Sequence, residues 1–119
     1  MKRRFRLTGS TDFQRVRRSG KAVRHPLVVM VVFPNELQVF RIGVVAGRSV
    51  GNAVARNRAK RLLRHALQPY LSRISAGWDI LLIARTPLAK ATYQQTFEAL
   101  GSLIRRASIS QDKHEIEIK

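Results

Sequence analysis

Cysteine is absent from this sequence of 119 residues, which excludes disulfides, zinc sites built on thiolates, and thiol nucleophiles. Long hydrophobic runs are also missing. The longest, residues 27–33, is far below the roughly 20 residues that a membrane-spanning helix needs. The first residues are basic but no apolar stretch follows them, so they do not have the pattern of a secretory signal. We therefore expect a soluble, cytoplasmic protein with no membrane partner.

Acidic residues are scarce. Seven Asp and Glu stand against 23 Lys and Arg, which gives a formal net charge of +16. Such an excess of one sign opposes compactness unless a polyanion is bound, and nucleic acid is a better candidate than an anionic membrane surface. Arginine outnumbers lysine by 17 to 6. Because the planar guanidinium grips phosphate with two hydrogen bonds and stacks on bases, this bias favours nucleic-acid binding.

The length and a hydrophobic content of 45% predict a single domain over residues 1–119, with a basic arm at 1–10 and a polar tail at 108–119. Helices are predicted from a Ser10 or Thr11 cap to residue 19, and over 52–68 and 92–107. Strands are predicted over 27–33, 37–46 and 80–85, the first two paired as an antiparallel hairpin. A short strand could add at 114–118. The order α-β-β-α-β-α indicates a two-layer α+β fold with its helices on one face of a small sheet.

The most informative segment is the predicted helix over residues 52–68, because one side is apolar and the other is basic. At 100° per residue, an apolar stripe forms from Ala55, Ala59, Leu62, Leu63, Ala66 and Leu67. The opposite side carries Asn57, Lys60, Arg61, Arg64 and Gln68, and Arg56 and Arg58 flank the two faces. Successive cations on such a face are about 5–6 Å apart, a spacing that suits the phosphates of a folded RNA.

A merely solvated charged face is the alternative interpretation of this helix. Solvated basic helices usually include acids that form i,i+4 pairs, whereas residues 51–68 contain no Asp or Glu. The unrelieved repulsion favours an external anion, so we expect contact with RNA.

The same segment carries a known signature. Gly51-Asn52-Ala53-Val54, followed by Arg56-Asn57-Arg58, Lys60-Arg61 and Arg64, closely resembles the RNR motif of the protein subunit of bacterial ribonuclease P. The resemblance extends over nearly the whole chain, through Arg6-Leu7, Asp12-Phe13, Arg41-Ile42-Gly43, and the segment from Asp79 to Pro87. A lone RNR tripeptide would be weak, but the glycine-led helix with these flanks is specific.

This resemblance implies an α-β sandwich like the second domain of ribosomal protein S5, with the basic helix in a left-handed β-α-β crossover. It implies a protein cofactor that helps a catalytic RNA subunit, using Mg²⁺ bound mainly by the RNA, to remove the 5′ leader of precursor tRNA. It also implies two surfaces. Contact with ribonuclease P RNA is expected at Asn52, Arg56, Asn57, Arg58, Lys60, Arg61 and Arg64. Leader contact is expected at Phe13, Arg17, Arg41, Arg48 and Arg85.

The chain departs from the family pattern at four places. A basic pair after the second predicted strand is reduced to Arg48-Ser49, and the C-terminus carries Asp112, Glu115 and Glu117 instead of being simply basic. Arg17 stands where relatives often have a second aromatic residue, and Val31 stands where some have Tyr. By itself, Phe13 would more readily be a core residue; the resemblance instead favours base stacking, which is tolerant of leader sequence.

Three other functions are weighed against this one. A ribosomal RNA-binding protein would share the size and charge without the motif. A metal-dependent nuclease would need converging carboxylates, and the acidic residues here are scattered apart from two in the tail. A DNA-binding protein would need base-reading side chains, whereas this helix offers mainly Arg and Lys. The residues therefore predict no catalytic groups in this chain, and the resemblance implies that they belong to the RNA.

Overall fold

The computed structural model describes residues 6, 7 and 9–109, and within them four strands form one sheet against which three α-helices pack. The helices are α1 (Ser10–Ser19), α2 (Ala53–Leu67) and α3 (Tyr93–Ala107). The strands are β1 (Lys21–Arg24), β2 (Val28–Pro34), β3 (Arg41–Ala46) and β4 (Trp78–Ala84). This confirms the α+β class. The strand predicted at 114–118 and residues 1–5 and 8 of the basic arm lie outside the described residues.

One strand was missed by the sequence prediction. β1 precedes β2 and pairs with it antiparallel, so the order is α-β-β-β-α-β-α. Only Val23 of its four residues is buried. The strand therefore lacks the hydrophobic alternation from which a half-buried strand is predicted.

The predicted hairpin between the second and third strands is wrong. The sheet order is β1-β2-β4-β3, so β4 separates β2 from β3. β4 pairs antiparallel with β2 and parallel with β3, placing Leu82 opposite both Met30 and Val44. β4 has buried side chains on both of its faces and takes a central place, as continuous apolar strands do. The six residues 35–40 connect β2 to β3 across two strand spacings of about 5 Å each.

The helices do not all lie on one face, which corrects the predicted arrangement. Val28, Met30 and Val32 of β2 pack in a large core with α2 and α3. Val29, Val31 and Phe33 alternate with them and face a smaller cluster that contains Val16 of α1. Thus α1 covers the opposite face of the sheet, which a pattern of helix-forming residues does not specify.

The parallel pair β3 and β4, joined through α2, is the β-α-β unit that the resemblance implies. Its left-handed sense stays a prediction. Asn52 caps α2, because its Oδ1 accepts a hydrogen bond from the Ala55 amide at 2.9 Å. The predicted Ser10 or Thr11 cap of α1 is wrong: Gly9 holds the cap position, with no side-chain hydrogen bond. None of the helices in the described part is long and apolar enough to cross a membrane.

Candidate nucleic-acid interface

The outer face of α2 carries cations without carboxylates. Four residues predicted to contact RNA lie side by side there, and with Val54 they line a shallow groove of about 430 Å³: Asn57, Lys60, Arg61 and Arg64. Val54 is 75% exposed, so the groove is floored in part by an apolar side chain that no described neighbour covers. The opposite face of the helix is buried through Ala59, Leu63, Ala66 and Leu67. The predicted division of α2 into a packed face and a basic face is confirmed.

The other three predicted RNA contacts lie elsewhere on α2. The Asn52 side chain caps the helix, so part of its hydrogen-bonding capacity serves the fold. The Arg58 Nη1 donates to the Ala89 carbonyl oxygen at 2.6 Å, tying α2 to the turn Thr86–Lys90. Arg56 is half-buried. The structure therefore separates these three from the groove residues.

Phe13 lies directly over Gly43 of β3. A Cβ atom at position 43 would stand 2.7 Å from the Cε1 atom of the Phe13 ring, so only glycine admits the ring there. A glycine inside a strand indicates either a bulge or such a close approach. The ring packs against the small cluster of Leu7, Val16, Val31 and Leu81 but remains half-buried. Phe13 thus combines a packing role with a solvent-accessible edge.

A cavity of about 320 Å³ opens beside this ring at the β3 edge of the sheet. Its lining includes Arg6, Phe13, Gly43 and Arg64. The Arg6 backbone forms a parallel bridge with Ile42, which places the start of the described chain along β3. Because Arg64 also lines the α2 groove, the two predicted surfaces meet at this residue.

The remaining predicted leader contacts are dispersed. Arg17 is exposed on α1, one turn after Phe13. Arg48 and Arg85 are exposed where the parallel strands β3 and β4 end. Their segments lie side by side, since the Thr86 hydroxyl donates to the Ser49 carbonyl oxygen at 3.2 Å. None of the three arginines is among the residues that line the Phe13 cavity.

Arg41 is engaged inside the protein. Its Nε and Nη2 donate to the two carboxylate oxygens of Asp79 at 2.9 and 2.8 Å. The Asp79 side chain is fully buried, whereas that of Arg41 is 23% exposed. This bidentate pair joins β3 to β4. It pairs with Asp79 the guanidinium that the family resemblance assigned to leader binding.

α1 is attached to the same pair. Asp12 lies 3.7 Å from Arg41, and Arg15 reaches both Asp12 at 3.1 Å and Asp79 at 3.4 Å. The Asn35 side-chain amide donates to Asp79 at 2.8 Å. We name Asp12, Arg15, Asn35, Arg41 and Asp79 the buried charge cluster, after its fully buried member Asp79; the other four side chains are partly exposed. The cluster links α1, β3, β4 and the loop after β2.

Opposing effects set the pKa of Asp79. Burial raises the pKa, but hydrogen bonds from Arg41 and Asn35 and the charges of Arg41 and Arg15 outweigh it, so the pKa lies below its ordinary value. The same contact raises the pKa of Arg41, through its hydrogen bond to Asp79 and against the effect of burial. Asp79 is therefore ionised at neutral pH.

A family model described as Ribonuclease P matches residues 1–108. The chain belongs to the ribonuclease P protein family. A relative from Halalkalibacterium halodurans, named ribonuclease P protein component, is 40% identical over 114 residues, which are 95% of this chain and 96% of that protein. A relative of the same name from Herpetosiphon aurantiacus is 36% identical over 115 residues, covering 97% and 94%.

Solved structures of this family share the fold. The ribonuclease P protein of Staphylococcus aureus superposes with a TM-score of 0.80 at 33% identity, covering 88% of this chain and 96% of that one. The protein from Thermotoga maritima superposes with a TM-score of 0.76 at 28% identity, covering 85% and 96%. These matches confirm the resemblance that the sequence indicated.

Asp79 is the residue of this ribonuclease P protein that sequence reasoning missed. Its signal was present, because a rare acidic residue stands at the start of an otherwise apolar strand. A buried carboxylate needs a cationic partner, and that requirement could have pointed to an arginine on a neighbouring strand. The partner itself, 38 residues away, could not be chosen from the sequence.

The described residues of this chain do not form a site that fits a protein-held Mg²⁺. Among residues 6, 7 and 9–109, no group of three or more His, Asp and Glu side chains is placed to bind a metal. The two carboxylates of the buried charge cluster, Asp12 and Asp79, face guanidinium groups instead of an open coordination position.

Proposed function

We propose that this chain is the protein subunit of a bacterial ribonuclease P, which helps a catalytic RNA subunit remove the 5′ leader from precursor tRNA in the cytoplasm. One observation carries the proposal: the acid-free groove on α2 and the cavity beside Phe13 meet at Arg64. A protein that holds an RNA subunit on one surface and a leader on the next needs such contiguous surfaces.

The α2 groove is the proposed contact with the RNA subunit. Lys60, Arg61 and Arg64 can each donate to phosphate, and Asn57 adds a neutral donor between them. Packing of the opposite face holds these side chains on a rigid helix, so they meet the RNA without ordering a loop first. Asn52 and Arg58 support this surface by fixing the start of α2 and its contact with residues 86–90. Arg56, half-buried, is proposed to contribute to the edge of the same contact.

The Phe13 cavity is the proposed contact with the leader. An aromatic ring edge beside Arg6 and Arg64 offers stacking and charge, which tolerate any leader sequence. Arg17, Arg48 and Arg85 are exposed but lie outside the lining of this cavity, and they are proposed to add a general attraction for the RNA leader. Arg41 is proposed to position α1 and β3 through the buried charge cluster and not to contact the leader.

The chemical step is assigned to the RNA and to the magnesium ions it binds. The protein supplies cations that offset phosphate repulsion between the RNA subunit and the leader. Its own contribution is binding and orientation, since the carboxylates of the buried charge cluster are paired with arginine.

Leader removal at low magnesium tests this function. Precursor tRNA is incubated with the cognate ribonuclease P RNA, with the protein, and with both, and release of the 5′ leader is measured. We expect cleavage only when both are present, because protein cations replace part of the screening that magnesium supplies. If adding the protein changes nothing, the proposal is wrong, and the RNA that copurifies with the protein would identify a ribosomal RNA binder.

Phe13→Ala tests the leader contact. We expect it to weaken the binding of precursor tRNA about fivefold or more and to leave mature tRNA unaffected, because one aromatic–base stack is lost. Both affinities are measured with the holoenzyme. Phe13→Leu is the control for packing over Gly43: it should retain the fold yet lose the same preference for precursor. Equal losses for both tRNAs would show that Phe13 serves only the core.

A further inference from the structure

Four aromatic rings form a row outside both surfaces described above. Tyr70 stacks on Phe97, with ring centroids 4.8 Å apart and planes inclined by 20°. Phe97 lies 6.1 Å from Tyr93 at 17°, and Tyr93 lies 5.2 Å from His65 at 59°. The row crosses from the turn Gln68–Arg73 over α3 to the end of α2.

One end of this row is fixed by the fold. The Tyr70 hydroxyl donates to the Phe97 carbonyl oxygen at 2.8 Å. Tyr70 lies across Gly101, where any Cβ atom would collide with the ring and its hydroxyl. Tyr70 and Phe97 are half-buried, so the inner part of the row is rigid packing.

The other end of the row is open to solvent. Tyr93 is 39% exposed, one of three large hydrophobic side chains that remain exposed among the described residues, and His65 is exposed beside it. Phe97 supports the Tyr93 ring from within α3. A supported, accessible ring of this kind presents a π-face without the entropy cost of ordering a free side chain.

The surroundings of the row are cationic. Arg61, which lines the α2 groove, lies one helical turn before His65. Burial raises the pKa of Tyr70; the charges of Arg105 and Arg73 act against that rise, and that of Glu98 adds to it. The nearby carboxylate, Glu98, accepts a hydrogen bond from Gln94 at 3.1 Å.

We propose that Tyr93 and His65 form a stacking platform for an unpaired base of the RNA that binds along α2. The inference rests on the proposed function and extends its RNA contact from α2 onto the start of α3. Aromatic faces beside arginines are the features that bind single-stranded nucleic acid. RNA is the proposed ligand because the platform adjoins the α2 groove at Arg61. An RNA strand that leaves this groove would meet His65 and Tyr93 next.

Substitutions at Tyr93 test the platform, with the cognate ribonuclease P RNA as the probe and affinity measured over a range of salt. Tyr93→Ala and Tyr93→Leu should each lose about fivefold or more in affinity, because one base loses its stacking partner. Their salt dependence should match the unmodified protein, since no phosphate contact is removed. Tyr93→Trp should keep the affinity, and its added tryptophan emission should be quenched when RNA binds.

Gln94→Ala is the matched control, because it alters an exposed neighbour in the same turn that makes none of the ring contacts described above. It should bind as the unmodified protein does. Thermal unfolding of each variant separates lost packing from lost stacking, and Tyr93→Leu retains most of the packing on Phe97. If Tyr93→Leu binds as tightly as Tyr93→Trp, the platform is wrong while the proposed function stands. If the unmodified protein does not bind this RNA at all, both proposals are overturned.

Discussion

Asp79→Leu should lower the free energy of unfolding by about 2–4 kcal/mol, somewhat less than the cost of removing one partner from a fully buried ion pair, because Arg41 is 23% exposed. The substitution breaks both short hydrogen bonds of Arg41 and leaves it only the longer contact with Asp12 at 3.7 Å. Arg15 and Asn35 also lose their contacts with Asp79, so α1 is held less firmly on the sheet. Urea denaturation measures the change. Since small domains are stable by roughly 5–15 kcal/mol, this loss would be a large fraction of the total.

The double variant Arg41→Leu with Asp79→Leu is the control for this prediction. Removing both charges should restore much of the stability, because no unpaired charge remains buried. A cost below about 1 kcal/mol for Asp79→Leu alone would show that the buried charge cluster does not hold α1 in place.

The same pair has a defined pH dependence. The pKa of Asp79 is lower in the folded state than its ordinary value of about 4. The stability that the ionised Asp79 contributes is therefore fully present above about pH 4 and is lost as the pH falls through the lower folded-state pKa. The double variant should lack this component.

Arg61→Ala combined with Arg64→Ala should reduce both the affinity for the RNA subunit and the salt dependence of that affinity. Each lost phosphate contact lowers the slope of log affinity against log salt by about 0.7–0.9. Two lost contacts together correspond to roughly 25- to 60-fold weaker binding at 0.1 M salt, if the electrostatic contribution to the affinity is taken as zero at 1 M salt. Both side chains line the α2 groove, and Arg64 also lines the Phe13 cavity, so precursor tRNA binding should weaken as well.

Lys21→Ala combined with Arg24→Ala provides the control for charge alone. Both residues are exposed on β1, at the sheet edge opposite β3, and their removal changes the net charge by the same amount. This variant should keep the original slope. If both double variants reduce the slope equally, binding follows net charge and α2 is not the interface.

The sequence predicted much of the α2 surface correctly because a helix places residues by a fixed local rule. The extent of α2, its buried stripe, and the solvent face with Asn57, Lys60, Arg61 and Arg64 all follow from 3.6-residue periodicity. The sequence of residues 51–68 contains no Asp or Glu, so this face has no acidic partner within the helix and suits an anion. A glycine inside a strand is compatible with either a bulge or a close approach, and only the structure shows that Phe13 lies over Gly43.

The tertiary structure decided the features that depend on contacts distant in sequence. Placing β4 between β2 and β3 brings Asp79 to Arg41, which removes Arg41 from the free cations and fixes α1. Packing α1 on the opposite face from α2 sets Phe13 on Gly43 and brings its cavity to Arg64. Local patterns determine which faces are apolar or charged, but pairing between strands and docking of helices are chosen by the whole core. The sequence by itself therefore determined the basic face of α2, whereas only the tertiary structure placed that face next to the Phe13 cavity.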